Sequence, residues 1–79
     1  MLELSKETQV AICELRIKDY MAQLSDLKSR RATEKKNMIN YTKEQKTTLT
    51  SDYRRKYQYL MNNINFNKKY IEKLKSEKN

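Results

Sequence analysis

Ten cations fall between residues 28 and 56 against only three carboxylates, and Tyr53 and Tyr57 lie among them. They are Lys28, Arg30, Arg31, Lys35, Lys36, Lys43, Lys46, Arg54, Arg55 and Lys56. Charge beside aromatic rings is the pairing that contacts phosphates and stacks bases. A run of like charge on a helix is also often nothing more than a solvated face. This group is nevertheless the strongest candidate for a charged functional surface, and nucleic acid or an acidic protein is the partner it would take.

Little else in the chain carries chemistry. There is no histidine and a single cysteine, Cys13, so neither a Cys/His metal set nor an internal disulfide can form. There is no glycine, hence no phosphate-cradling loop, and no base stands beside a Ser or Cys nucleophile. The sequence predicts a protein that is not an enzyme, with no catalytic residue, no metal, no cofactor and no small-molecule substrate.

The elements that position these residues follow from another absence: the 79 residues contain neither glycine nor proline. Val10, Cys13, Ile17, Tyr20, Leu24 and Leu27 recur at alternating gaps of three and four, the repeat of a coiled-coil seam. Continuing the frame gives Arg31 and Glu34, then Met38 and Tyr41, so the seam loses its apolar character and briefly recovers it. A second stripe runs Leu49, Tyr53, Tyr57, Leu60, Ile64, Ile71 and Leu74, with Asn67 where a seam residue belongs. Cys13 is at a seam position, where a free thiol packs as a small apolar residue. Asn67 either fixes register from inside the seam or lies at its edge through a slight rotation of the helix; the second is the expectation.

Capping chemistry locates the ends of the helices. Ser5 followed by Glu7 starts the first, and Thr42-Lys43-Glu44-Gln45 reads as a capping box that starts the second. Asn40 tolerates left-handed geometry and is expected to close the first helix. The fold expected is all-α, a single domain over residues 1–79: an antiparallel two-helix coiled-coil hairpin with helices near 6–38 and 43–77. Facing residues then have numbers totalling 80 or 81, which pairs Val10 with Ile71, Ile17 with Ile64 and Leu24 with Tyr57. The competing form is one unbroken helix of about 115 Å.

In the hairpin, charge is polarised along its length. Residues 1–27 carry three bases and five acids, residues 28–56 ten and three, and residues 57–79 five and two. The turn end becomes a basic tip, with Arg30, Arg31, Lys35, Lys36, Arg54, Arg55 and Lys56 at its centre, and the open end is nearly neutral.

A second apolar signal falls at that open end. Ile12, Leu15 and Ala22 lie outside the first seam, and Tyr59, Phe66 and Tyr70 outside the second. A helix covered on one face has no need of these, so they are read as a face for a protein partner or for self-association into a dimer or larger helical bundle. Leu, Ile, Val and Phe number only 15 of 79 residues and the net charge is +8, values bordering on those of chains that fold only on assembly.

The N-terminal Met-Leu-Glu-Leu-Ser-Lys-Glu has acids where a signal peptide would have bases, and no apolar run is long enough to cross a membrane. The expectation is a cytoplasmic chain without membrane insertion. Small helical chaperones and accessory subunits of secretion systems or phages look broadly like this in size and patterning. The functional expectation is a non-enzymatic interaction or assembly subunit acting through its open-end apolar faces. The alternative is a basic helical arm that binds nucleic acid through Lys28–Lys56.

Overall fold

The computed structural model describes residues 4–77; the Met1-Leu2-Glu3 part of the N-terminal reading and the ends of the 1–79 span lie outside them. Two helices account for nearly all of these residues, α1 over Lys6–Asn37 and α2 over Lys43–Ser76, and they pack against each other as an antiparallel hairpin. No strand occurs among the described residues. The all-α hairpin expected from periodicity and capping is the fold, with each helix ending one residue earlier than expected.

Both N-termini are closed by the side chains that the sequence offers. The Ser5 hydroxyl accepts from the Thr8 amide at 3.1 Å. At α2 the box is reciprocal: Gln45 N–H donates to Thr42 Oγ1 at 3.1 Å, and Thr42 N–H donates to Gln45 Oε1 at 2.9 Å. Two of the amides that a helix start leaves without partners are thereby satisfied.

The reversal itself differs from expectation. No described residue has a positive φ, so Asn40 does not adopt left-handed geometry. The last turn of α1 tightens instead into a 3₁₀ turn, Met38–Asn40, in which Met38 N–H reaches the carbonyl of Lys35 and Tyr41 N–H that of Met38. Tyr41 then extends at φ −81°, ψ 148° and hands the chain to Thr42. Tightened i→i+3 bonds are one of the ordinary ways to use up helix-end carbonyls, and they need no glycine. Met38 is 8% exposed and plugs the turn end of the core, while its neighbour Ile39 projects at 81%.

Three side-chain contacts pin the register. Arg31 donates to Thr50 Oγ1 at 2.7 Å, Tyr70 Oη to Gln9 Oε1 at 2.8 Å, and Lys6 pairs with Glu77 at 3.5 Å. These span the length of the hairpin around the pairing read from the apolar stripes. Cys13, Leu60, Ile64 and Leu74 are buried on that seam. Val10, Ile17, Tyr20, Leu24, Leu27, Tyr53, Tyr57 and Ile71 are half-buried, because two helices can cover only a stripe of each other.

Asn67 is inside the seam rather than at its edge, at 5% exposure. Its amide donates at 2.8 Å to the carbonyl of Asn63 one turn back on the same helix. That intrahelical bond satisfies the buried amide, which is why the helix does not rotate to expose it.

The molecule is a rod of 60 × 23 × 16 Å. Its radius of gyration is 17.9 Å, against about 12 Å for a compact chain of the same length.

Candidate functional site

The basic residues gather toward the turn end of the rod, and Ile12, Phe66 and Tyr70 of the apolar set lie at its open end. At the open end, an open groove of about 450 Å³ lies along one side of the helix pair. Ile12 and Arg16 from α1 and Phe66 and Tyr70 from α2 line it, with Cys13 and Asn67 at its base. Phe66 is 68% exposed and Tyr70 38%.

The rim of this groove is held by a short relay. Tyr70 Oη donates to Gln9 Oε1, and Gln9 Nε2 donates at 2.9 Å to the carbonyl of Leu4. Leu4, 55% exposed, is thereby brought into the lining ahead of the first helical turn. Sequence reasoning missed Leu4 and Gln9, since both lie off the seam frame and neither repeats at helical spacing with the other apolar residues.

The six residues read as a partner face are not one patch. Ile12, Phe66 and Tyr70 share the open-end groove, whereas Tyr59, 61% exposed, lines a second groove farther toward the tip. Leu15, 68% exposed, and Ala22 are seven residues apart on one stripe of α1, and they line neither groove. On a helical wheel that stripe points nearly straight away from α2.

The basic tip also divides. The groove that includes Tyr59 is charge-balanced, with Asp26, Glu34 and Asp52 facing Arg30, Arg31 and Lys56. Arg30 is paired with Asp26 at 3.0 Å, an exposed i,i+4 pair of small energetic consequence. On the opposite side a groove is lined by Lys28, Tyr53, Arg54, Tyr57 and Gln58, with no carboxylate among them. There the Lys28 ammonium lies 5.9 Å from the centre of the Tyr57 ring. Lys35, Lys36 and Arg55 are exposed on the same end of the rod.

Arg31 stands apart from the rest of the tip. Its side chain is 12% exposed, and it occupies the seam position that the heptad frame assigned it. Glu34 Oε1 accepts from it at 2.7 Å, Thr50 Oγ1 accepts at 2.7 Å, and the Tyr53 ring centre lies 5.2 Å from its guanidinium carbon. Nη1 and Nη2 are thus engaged within the helix pair, at the edge of the charge-balanced groove. Thr50, half-buried beside the equally half-buried Leu49, also faces α1 where the second stripe continues back from Tyr53. Stepping three residues back from Tyr53 would have found it, but a threonine has no apolar signal to mark the position.

Tyr53 and Tyr57 are half-buried with ring centres 6.0 Å apart, tilted at 36°. They are edges of the seam as well as walls of the basic groove. Among the described residues no group of three or more His, Cys, Asp or Glu is placed to hold a metal ion. Among the described residues no helix is long and apolar enough to cross a membrane.

No protein-family model matches the chain, and neither the curated proteins nor the solved structures compared with it give a match.

Proposed function

We propose that the hairpin is a non-enzymatic interaction or assembly subunit that engages an apolar protein surface through its open end. The observation that carries this reading is the groove beside Phe66. A large aromatic side chain left 68% exposed beside Ile12 and Tyr70, on a rod with so little buried core, is the composition of a protein-contact patch rather than of a solvated surface. Single exposed apolar residues need no explanation, but a groove walled by residues from both helices accepts a partner's apolar helix or side chains.

The apolar dye ANS tests it at low micromolar protein. Phe66→Asp is expected to lower dye fluorescence several-fold with the helical circular dichroism unchanged. Ile39→Asp, at the other end of the rod, leaves the fluorescence as it was. Equal loss from both variants, or from neither, counts against an open-end contact site.

A second reading rests on the groove of Lys28, Arg54, Tyr53 and Tyr57, whose lining carries cations without a carboxylate. Such a surface fits the phosphate backbone of a nucleic acid. Binding of a generic duplex would then weaken steeply with salt and be lost in the double variant Arg54→Glu, Arg55→Glu. Duplex binding that is absent at low salt removes this reading.

A further inference from the structure

We infer that the carboxylate-free face of the basic end binds the phosphate backbone of a double-stranded nucleic acid side-on, without reading its bases, through Lys28, Lys35, Lys43 and Arg54. The inference rests on the second reading above and narrows it to one face of the rod and one kind of contact.

The packing of the helices makes the charge one-sided. Lys28 and Arg54 come from different helices and wall the same groove, with no carboxylate in its lining. Lys35 lies one heptad after Lys28, and Lys43 three turns before Arg54, so helical spacing puts both on this side; all four cations are exposed. Of the three carboxylates in residues 28–56, Glu34 and Asp52 line the groove on the opposite side, and Glu44 falls by the same spacing at the back of α2. The four cations spread over about 16 Å of the rod axis, along which a duplex presents one negative charge about every 1.7 Å.

The tyrosines decide the kind of contact. A base stacks on a free ring face. Tyr53 and Tyr57 are half-buried in the seam, and each already has a cation of this chain over its ring: the Arg31 guanidinium carbon 5.2 Å from the centre of Tyr53 and the Lys28 ammonium 5.9 Å from that of Tyr57. Gln58, the one amide in the lining, donates through Nε2 to Asn62 Oδ1 at 2.8 Å along its own helix. What the face offers is therefore charge, which reads the backbone and not the sequence.

Composition separates a nucleic acid from an acidic protein. The centre of a protein interface is apolar and poor in charge, whereas a surface for nucleic acid is polar and strongly positive. None of the exposed large apolar side chains among the described residues lines this groove.

Fluorescence anisotropy with a short labelled duplex tests the inference on the full chain. Four phosphate contacts give a slope of log affinity against log salt of about −3.6, a loss of about 150-fold between about 50 and 200 mM salt. Lys28→Gln and Arg54→Gln are each expected to reduce that slope by about 1, while Arg30→Gln, on the balanced side, leaves it unchanged. Tyr57→Leu keeps the seam apolar and is expected to leave duplex and single-strand binding within about twofold, and duplexes of unrelated sequence bind alike. Equal slope losses from Arg30→Gln and Arg54→Gln overturn the one-sided assignment. A several-fold loss of single-strand binding in Tyr57→Leu, or a single strand bound more tightly than the duplex, overturns the backbone-only contact. The nucleic-acid reading survives each of these results. Polyglutamate that displaces the labelled duplex as well as unlabelled duplex does, at equal charge, overturns the inference in favour of an acidic protein. Absence of duplex binding at low salt removes the inference and the reading together.

Discussion

The Arg31 guanidinium crosses the helix pair to Thr50 Oγ1 at 2.7 Å, two turns from the reversal and inside the seam. A long cation has replaced an apolar layer there, and it is satisfied on three sides by Glu34, Thr50 and the Tyr53 ring. This polar layer separates the Met38 plug from the apolar seam that resumes at Leu27 and Tyr53.

Because the layer is polar and partly enclosed, its removal has a defined sign. Replacing a whole buried ion pair with apolar side chains of similar volume is commonly neutral or stabilising, and removing one partner is costly only where the other charge stays buried. Arg31→Leu is therefore expected to leave the stability unchanged or raise it by up to about 1 kcal/mol, since Glu34 is 35% exposed and regains water. Arg31→Glu sets two carboxylates at i and i+3 in the seam and is expected to cost about 2 kcal/mol or more. Thermal circular dichroism at fixed protein concentration measures both, and a large loss in Arg31→Leu would show that the layer is a net stabiliser.

Asn67 makes a similar prediction for a different reason. Its amide donates to the Asn63 carbonyl, an oxygen one turn back that the helix ladder already uses, so deleting the side-chain bond orphans nothing. Asn67→Leu adds apolar burial and removes a desolvated amide, and it should stabilise the hairpin by about 1–2 kcal/mol. In a chain of this size that is a rise in melting temperature of at least about 4 °C. A fall in melting temperature would mean that the amide has a partner in the assembled state.

The turn can be probed at two neighbouring positions with opposite expectations. Thr42→Ala removes the acceptor of the Gln45 amide and should destabilise by about 1 kcal/mol, with Thr42→Ser restoring most of it. Asn40→Gly would stabilise a left-handed helix end, but φ is negative throughout the reversal. The glycine should therefore cost about 0.5–1 kcal/mol through the entropy of the unfolded chain. Stabilisation by Asn40→Gly would contradict the 3₁₀ reversal.

Much of this architecture was legible in the sequence because each signal is local. The three-four spacing from Val10 to Leu27 and from Tyr53 to Leu74 needs only the geometry of one helix, and the Ser5 and Thr42 caps act within a single turn. Their agreement placed both helices to within one residue at each end. The reversal was less legible, since Met38–Asn40 closes through backbone bonds that any residue can make, and Asn40 advertised a conformation it does not adopt. Asn67 was misjudged for a related reason: its satisfaction comes from a carbonyl, which no side-chain pattern reveals.

The candidate sites divide along the same line. Residue type alone identified a basic end and an apolar end, because net charge and helical spacing are properties of the chain. Only the packing of α1 on α2 decided which residues meet. It placed Ile12, Phe66 and Tyr70 around one groove, sent Leu15 and Ala22 to the back of α1, and separated a carboxylate-free wall at Lys28 and Arg54 from the balanced one at Arg30 and Lys56. It also took Arg31 out of the charged surface and into the seam. A helix has one axis but several faces, and which face is inward depends on the partner helix, whose position the periodicity of a single strand of sequence does not contain.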